Sequence, residues 1–138
     1  MIDITAILGE IYDRISAASA NPFTSLVYAA RVRELVTAAQ MPACDIAGGS
    51  ATSVQRAGYT EWSALITIVI RSQSVKRRTG AGYAMQYANW TVSLLRNTKG
   101  VCYDVFRDFA VTTIDDDETG TGATVHTAVI QFTARKDS

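Results

Sequence analysis

The chain has 138 residues, with 13 Lys and Arg balanced by 13 Asp and Glu, one His, and 48% hydrophobic residues. That length favours one domain and is enough to bury a core without disulfide staples. The composition is globular and excludes a disordered chain. The zero formal charge gives no broad pull toward nucleic acid or an anionic membrane, and it removes a barrier to self-association. Cys44 and Cys102 lie far apart with no C-x-x-C, which points to reduced thiols and away from zinc or a thioredoxin-like site. Met1-Ile2-Asp3-Ile4-Thr5 lacks a basic, then apolar, leader, and the most apolar run, Ala64 to Ile70, is too short to span a bilayer. The expected site of synthesis is therefore a cytoplasm, with no membrane partner.

Taken in chain order, Ile4, Ile7, Leu8, Ile11 and Ile15 recur on one helical face, with Asp3 ahead of them as N-cap. This predicts a first helix from about Ile4 to Ser19, ended by Asn21-Pro22. Leu26 to Val32 reads as a strand and Glu34 to Gln40 as a short Ala- and Leu-rich helix. Pro42 opens a short apolar strand, Ala43 to Ala47, and Gly48 to Ser53 reads as a flexible loop.

Glu61 to Ser74 is the clearest strand. Ala64, Ile66, Ile68 and Ile70 share one face, which is apolar enough to meet helices, while Leu65, Thr67, Val69 and Arg71 share the other. A basic loop, Lys76-Arg77-Arg78-Thr79-Gly80, leads into a second helix from about Gly80 to Asn97. Its buried stripe is Ala84, Tyr87, Ala88, Thr91, Leu94 and Leu95. Two alternating strands close the chain. Phe106 to Ile114 sets Phe106, Ala110 and Ile114 against Arg107, Phe109 and Val111. Val125 to Arg135 sets Ala128, Ile130, Phe132 and Ala134 against Thr127, Val129, Gln131 and Thr133. They read as a C-terminal β-hairpin with an acidic tip, Asp115-Asp116-Asp117-Glu118. The fold expected is α+β, a mostly antiparallel four- or five-stranded sheet with two long helices on one face, as one domain over residues 1–138.

The chemistry-bearing residues do not assemble into a catalytic pattern. The acidic run lacks the alternating spacing of an EF-hand, which leaves a solvated tip, a protein-contact tip or a cation site, in that order. Lys76, Arg77 and Arg78 suit a solvated loop, a protein contact or a phosphate, but Lys76 precedes the glycines where a Walker lysine follows them. Gly80-Ala81-Gly82 lacks the third glycine of a dinucleotide fingerprint, position 85 being Met. His126 is the sole candidate base, no G-x-S-x-G supplies a nucleophile, and its parity with Ala128 and Ile130 makes it a core residue. Tyr83, Tyr87 and Trp90 overlap the buried stripe of the second helix and read as core before interface. No enzyme activity and no cofactor are expected.

The order and sizes of these elements resemble the tail terminator or tail-completion proteins of long-tailed bacteriophages. The resemblance is carried by the helix Ile4 to Ile15, the Met41-Pro42-Ala43-Cys44 lead into a short strand, and the long strand around Ile66-Thr67-Ile68-Val69-Ile70. The helix end Val92-Ser93-Leu94-Leu95-Arg96 and the closing strand Val129-Ile130-Gln131-Phe132-Thr133 complete it. It implies a virion protein of the tail or neck, assembled in the host cytoplasm as a homo-oligomeric, usually hexameric, ring. The ring caps the tail tube, joins the head–neck connector protein, and meets nucleic acid only in its lumen. Such a ring needs two complementary patches per subunit, for which Lys76 to Arg78 and Asp115 to Glu118 are a pair of opposite sign. The alternatives are a head-completion, neck or minor tail protein, and a small nucleic-acid-binding module using Lys76 to Arg78.

Overall fold

A computed structural model describes the backbone of residues 2–74, 77–118 and 124–137, and the side chains of these except 74, 77–82, 115–118 and 124. The elements are α1 (Ile4–Ala17), β1 (Ser25–Ala29), a short 3-10 turn (Ala38–Gln40), β2 (Ala43–Arg56), β3 (Tyr59–Ser74), α2 (Arg77–Leu95), β4 (Val105–Glu118) and β5 (Thr124–Asp137). The strands form one sheet in the order β1-β2-β3-β5-β4.

The α+β class and the two helices match expectation, but the sheet is mixed where a mostly antiparallel one was expected. β1 runs parallel to β2, pairing Ser25 with Ala43 through Ala29 with Ala47. A parallel neighbour needs a connection of about a dozen residues, and 30–42 supplies it. That segment turns back across the sheet, so the expected helix from Glu34 shrinks to the turn Ala38–Gln40. β4 and β5 lie antiparallel. The backbone of the expected acidic tip, Asp115 to Glu118, is the end of β4, and residues 119–123, between the two strands, lie outside the described residues.

Local chemistry explains most of the elements. The carboxylate of Asp3 accepts the Ala6 N–H at 3.1 Å and caps α1, whose stripe of Ile7, Leu8, Ile11 and Ile15 is buried. Ile66, Ile68 and Ile70 on β3 are fully buried and flanked in register by Cys44 and Ile46 of β2 and by Phe132, Ile130 and Ala128 of β5. α1 packs over β1 and β2, α2 over β3, β5 and β4, and the helices touch each other, so both lie on the isoleucine side. Gly48 lets α1 sit close: a Cβ there would collide with Ile4.

Two corrections follow from pairing that composition hides. Gly48 to Ser53 is not a loop. β2 continues through it to Arg56, held by β3 in antiparallel register and joined to it by a tight Ala57-Gly58 turn with Gly58 at φ +86°. On β4 the alternation breaks between Arg107 and Ala110, where Asp108 takes φ +61° and two residues oppose one on β5. The bulge flips parity. Phe106 and Val111 share the helix-covered side, while Ala110 and Ile114 face away from it.

Fully burying one isoleucine side chain contributes about 1.5–3 kcal/mol, and a cavity adds to the loss. Ile68→Ala should therefore lower stability in urea unfolding by about 2–5 kcal/mol. Leu65→Ala, three positions away on the open face, should lower it by less than about 1 kcal/mol.

Candidate functional site

The helices cover one face of the sheet, and the other face is partly covered by the 30–42 connection. That cover is pinned by one ion pair. Asp45 faces away from the helices and is only 2% exposed. Its carboxylate accepts from Arg33 Nη2 at 2.6 Å, from Arg33 Nε at 3.0 Å and from the Arg33 backbone N–H at 2.8 Å. Arg33 Nη1 also donates to Ser25 Oγ, and Arg71 Nη2 donates to the Arg33 carbonyl, both at 2.8 Å. The hydrogen bond to Asp45 raises the Arg33 guanidinium above its already high range. This is a structural staple. A charged residue inside the apolar run Ala43 to Ala47 was its signal in the sequence, but the partner twelve positions upstream was not readable.

Beyond this staple the open face carries Leu65, Thr67, Gln131, Thr133, Ala110, Thr112 and Ile114 side by side on β3, β5 and β4. Leu65 and Ile114 are 47% and 50% exposed. At the far end of the β2–β3 ribbon, Arg56 Nε reaches Glu61 at 3.4 Å, Arg135 Nη2 reaches the same Glu61 oxygen at 3.0 Å, and Arg135 Nε reaches Asp137 at 3.2 Å. Three strands are thus tied by one chain of alternating charges.

His126 is 1% exposed, on the helix-covered face, in register with Ser72 and Asp115. Burial pushes the Cys44 thiol far above the usual thiol range. Partial burial and the Glu10 carboxylate raise the Cys102 thiol less severely. Among the described residues no three His, Cys, Asp or Glu side chains gather as a metal site, and no helix is long and apolar enough to cross a membrane. Tyr87 and Trp90 are half-buried around Phe23, at ring-centroid distances of 6.0 Å each, while Tyr83 is exposed.

The charged segments fall at one end of the sheet. Ser74 at the end of β3 is in register with Thr124, and Thr124 with Glu118 at the end of β4. Arg77 and Arg78 open α2 just past that row, and Asp115 to Glu118 close β4, as strand where the sequence suggested a loop. Lys76 lies outside the described residues. Basic and acidic segments are therefore level with each other along the strand direction.

No family model matches the chain, and no curated protein matches it. A solved structure does. One chain of the virion of a native gene transfer agent particle superposes with a TM-score of 0.57 over 98% of this chain and 98% of its own length, at 10% identity. The two share a fold. The likeness runs over nearly the whole length of both chains.

Removing one partner of a buried ion pair costs about 3–5 kcal/mol, less where the survivor reaches water. Arg33 is 24% exposed at its side chain, so Asp45→Ala should cost about 3 kcal/mol in urea unfolding, and Arg33→Met with Asp45→Leu should recover most of it. In native protein at pH 8, iodoacetamide should alkylate Cys102 slowly and leave Cys44 untouched, with both reacting once urea unfolds the chain. Peptide mass spectrometry reads the difference.

Proposed function

We propose that this chain is a virion structural protein, and within the virion a tail terminator: a ring that caps the tail tube and joins it to the head–neck connector. The observation that carries the reading is the end-to-end likeness in fold to a chain of a gene transfer agent virion. The surfaces support it in physical terms. An exposed sheet face with apolar side chains, and balanced charge overall, suit contacts with other proteins. The basic start of α2 and the acidic end of β4 lie level along the strands. Copies related by rotation about an axis along the strands meet at equal height, so this is how two complementary patches must lie for a head-to-tail ring.

On this reading the chain is no enzyme and holds no cofactor. Its partners are further copies of itself, usually six in all, the tube protein below and the connector above. Nucleic acid meets it only in passing through the lumen. Its place is the virion tail or neck, after assembly in the host cytoplasm. Lys76, Arg77 and Arg78 of one subunit face Asp115, Asp116, Asp117 and Glu118 of another, or of the tube. Opposite charges there fix register and speed encounter more than they add affinity.

Particles purified from cells that carry the gene should contain this chain at about six copies each by quantitative mass spectrometry, as a closed sixfold ring requires. Its absence from intact particles overturns the reading. Arg77→Glu with Arg78→Glu should weaken the ring at physiological salt, and Asp115→Lys with Asp116→Lys in the same chain should restore it. Normal assembly of the Arg77→Glu, Arg78→Glu variant by light scattering removes those residues from the contact.

A further inference from the structure

The outermost strands of the sheet, β1 and β4, carry matched stretches. β1 has β2 on its inner side, β4 has β5, and no strand lies outside either among the described residues. A strand edge offers a row of unpaired N–H and C=O groups, and proteins that keep such edges free of partners blunt them with proline, lysine or inward charge. Neither stretch is blunted so. Residues 25–29 read Ser-Leu-Val-Tyr-Ala and 110–114 read Ala-Val-Thr-Thr-Ile, without a charge or a proline. The two stretches also stand at the same height. Followed across the ladders, Ser25 is level with Ala43, Arg71, Thr127 and Ile114, and Ala29 with Ala47, Thr67, Gln131 and Ala110. No register shift falls between these two rows. β1 is parallel to β2, and three antiparallel pairings lead from β2 to β4, so the two edges run in opposite directions.

We propose that Ser25–Ala29 of β1 in one copy pairs antiparallel with Ala110–Ile114 of β4 in a second copy, Ser25 opposite Ile114 and Ala29 opposite Ala110, making the sheet continuous between neighbours. The inference rests on the self-assembling reading above and names its contact. Four observations select a second copy as the occupant. First, copies turned about an axis along the strands set β4 of one beside β1 of the next, antiparallel and with no displacement along the strands. Such a contact is heterologous and can close a ring. Second, the faces agree. Leu26 and Tyr28 lie on the helix side, in register with Cys44 and Ile46, and Val111 and Thr113 lie there beside Ile130 and Ala128. Leu26 then meets Thr113, Tyr28 meets Val111, and all helices stay on one side of the joined sheet. Third, the backbone groups meet. The Ser25 N–H donates inward to the Pro42 carbonyl at 3.4 Å, so by alternation Leu26 and Tyr28 turn their N–H and C=O groups outward. β4 runs the other way on the opposite flank, so there too it is the helix-side residues, Val111 and Thr113, whose groups turn outward. Fourth, the side chains are complementary. Tyr28 and Ile114 are 43% and 50% exposed, and Tyr28 against Val111 is an aromatic–β-branched pair of the kind that stabilises a sheet. Just past the paired run, exposed Arg31 and exposed Asp108 arrive at the same end with opposite charge.

Ala29 and Ala110 are both exposed and form a non-hydrogen-bonded pair in this register. Such a pair brings its Cα atoms to about 4.5 Å, within the span of a disulfide. Inside one copy the same two positions are four strand spacings apart, roughly 19 Å, so they cannot bridge internally. The test is Ala29→Cys with Ala110→Cys in a chain carrying Cys102→Ser, treated with a mild oxidant and run on non-reducing gels. The double variant should give a ladder of covalent oligomers. Each single variant should give none, and a mixture of the two singles should give dimer only. Dimers from Ala29→Cys alone mean a twofold β1–β1 contact and overturn the proposal. An oligomer by light scattering with no ladder from the double variant also overturns it, and leaves the ring reading standing. A chain that stays monomeric at about 1 mM, the weak end of specific association, overturns it too, while the virion reading is decided separately by the copy number in particles. As a check that does not depend on oxidation, Thr113→Pro removes an outward N–H and leaves the ladder to β5 intact. It should weaken association about tenfold with the circular dichroism spectrum unchanged. Undiminished association of that variant would sink the pairing.

Discussion

The alternation of β3 governs this molecule. Ile66, Ile68 and Ile70 point to one side and are completely enclosed by α1, α2 and the matching rows of β2 and β5. Because side chains alternate strictly along a strand, the same rule sends Leu65, Thr67 and Val69 to the other side, where there is no helix to receive them. A sheet buried on one face by two helices has one face left over. Part of that face is closed by the 30–42 connection, which the Arg33–Asp45 pair holds down. The rest remains open. The structure thus separates a side devoted to stability from a side and two edges available for contacts.

Charge is distributed by the same logic. Asp45 sits where solvent is excluded and is satisfied by three donors from a single arginine. The Arg56–Glu61–Arg135–Asp137 chain ties the exposed end of the ribbon across strands. Glu10 accepts the Cys102 N–H at 2.9 Å and Arg14 donates to the Lys99 carbonyl at 2.8 Å, fastening the approach to β4 onto α1. These groups are committed to holding elements together.

Much of this was legible from the chain. The spacing of Ile4 to Ile15 and the Asp3 cap give α1. The period-two rows of Ala64–Ile70 and Ala128–Ala134 give the core faces of β3 and β5, and the parity of His126 gives its burial. What was hidden was non-local. Gly48 to Ser53 has the composition of a loop, yet it is a strand because β3 supplies its partner, and pairing outweighs weak intrinsic preference. The β4 bulge hid because counting by twos assumes an unbroken ladder, and Asp108 in a left-handed conformation resets the count. Whether β1 ran parallel or antiparallel depended on the path of 30–42, which is held by Arg33 through Asp45, Ser25 and Arg71. The charged segments were readable as opposite in sign but not as level, since that requires the register of three strands.

The ion chain at the end of the ribbon has a kinetic meaning. Two positive and two negative groups alternate there and cancel, so this end of the β2 edge exerts almost no field at a distance. An approaching molecule is neither drawn in nor turned away until the strands nearly touch. Encounter at such a site proceeds at the unsteered rate of roughly 10⁵–10⁶ M⁻¹s⁻¹, insensitive to ionic strength.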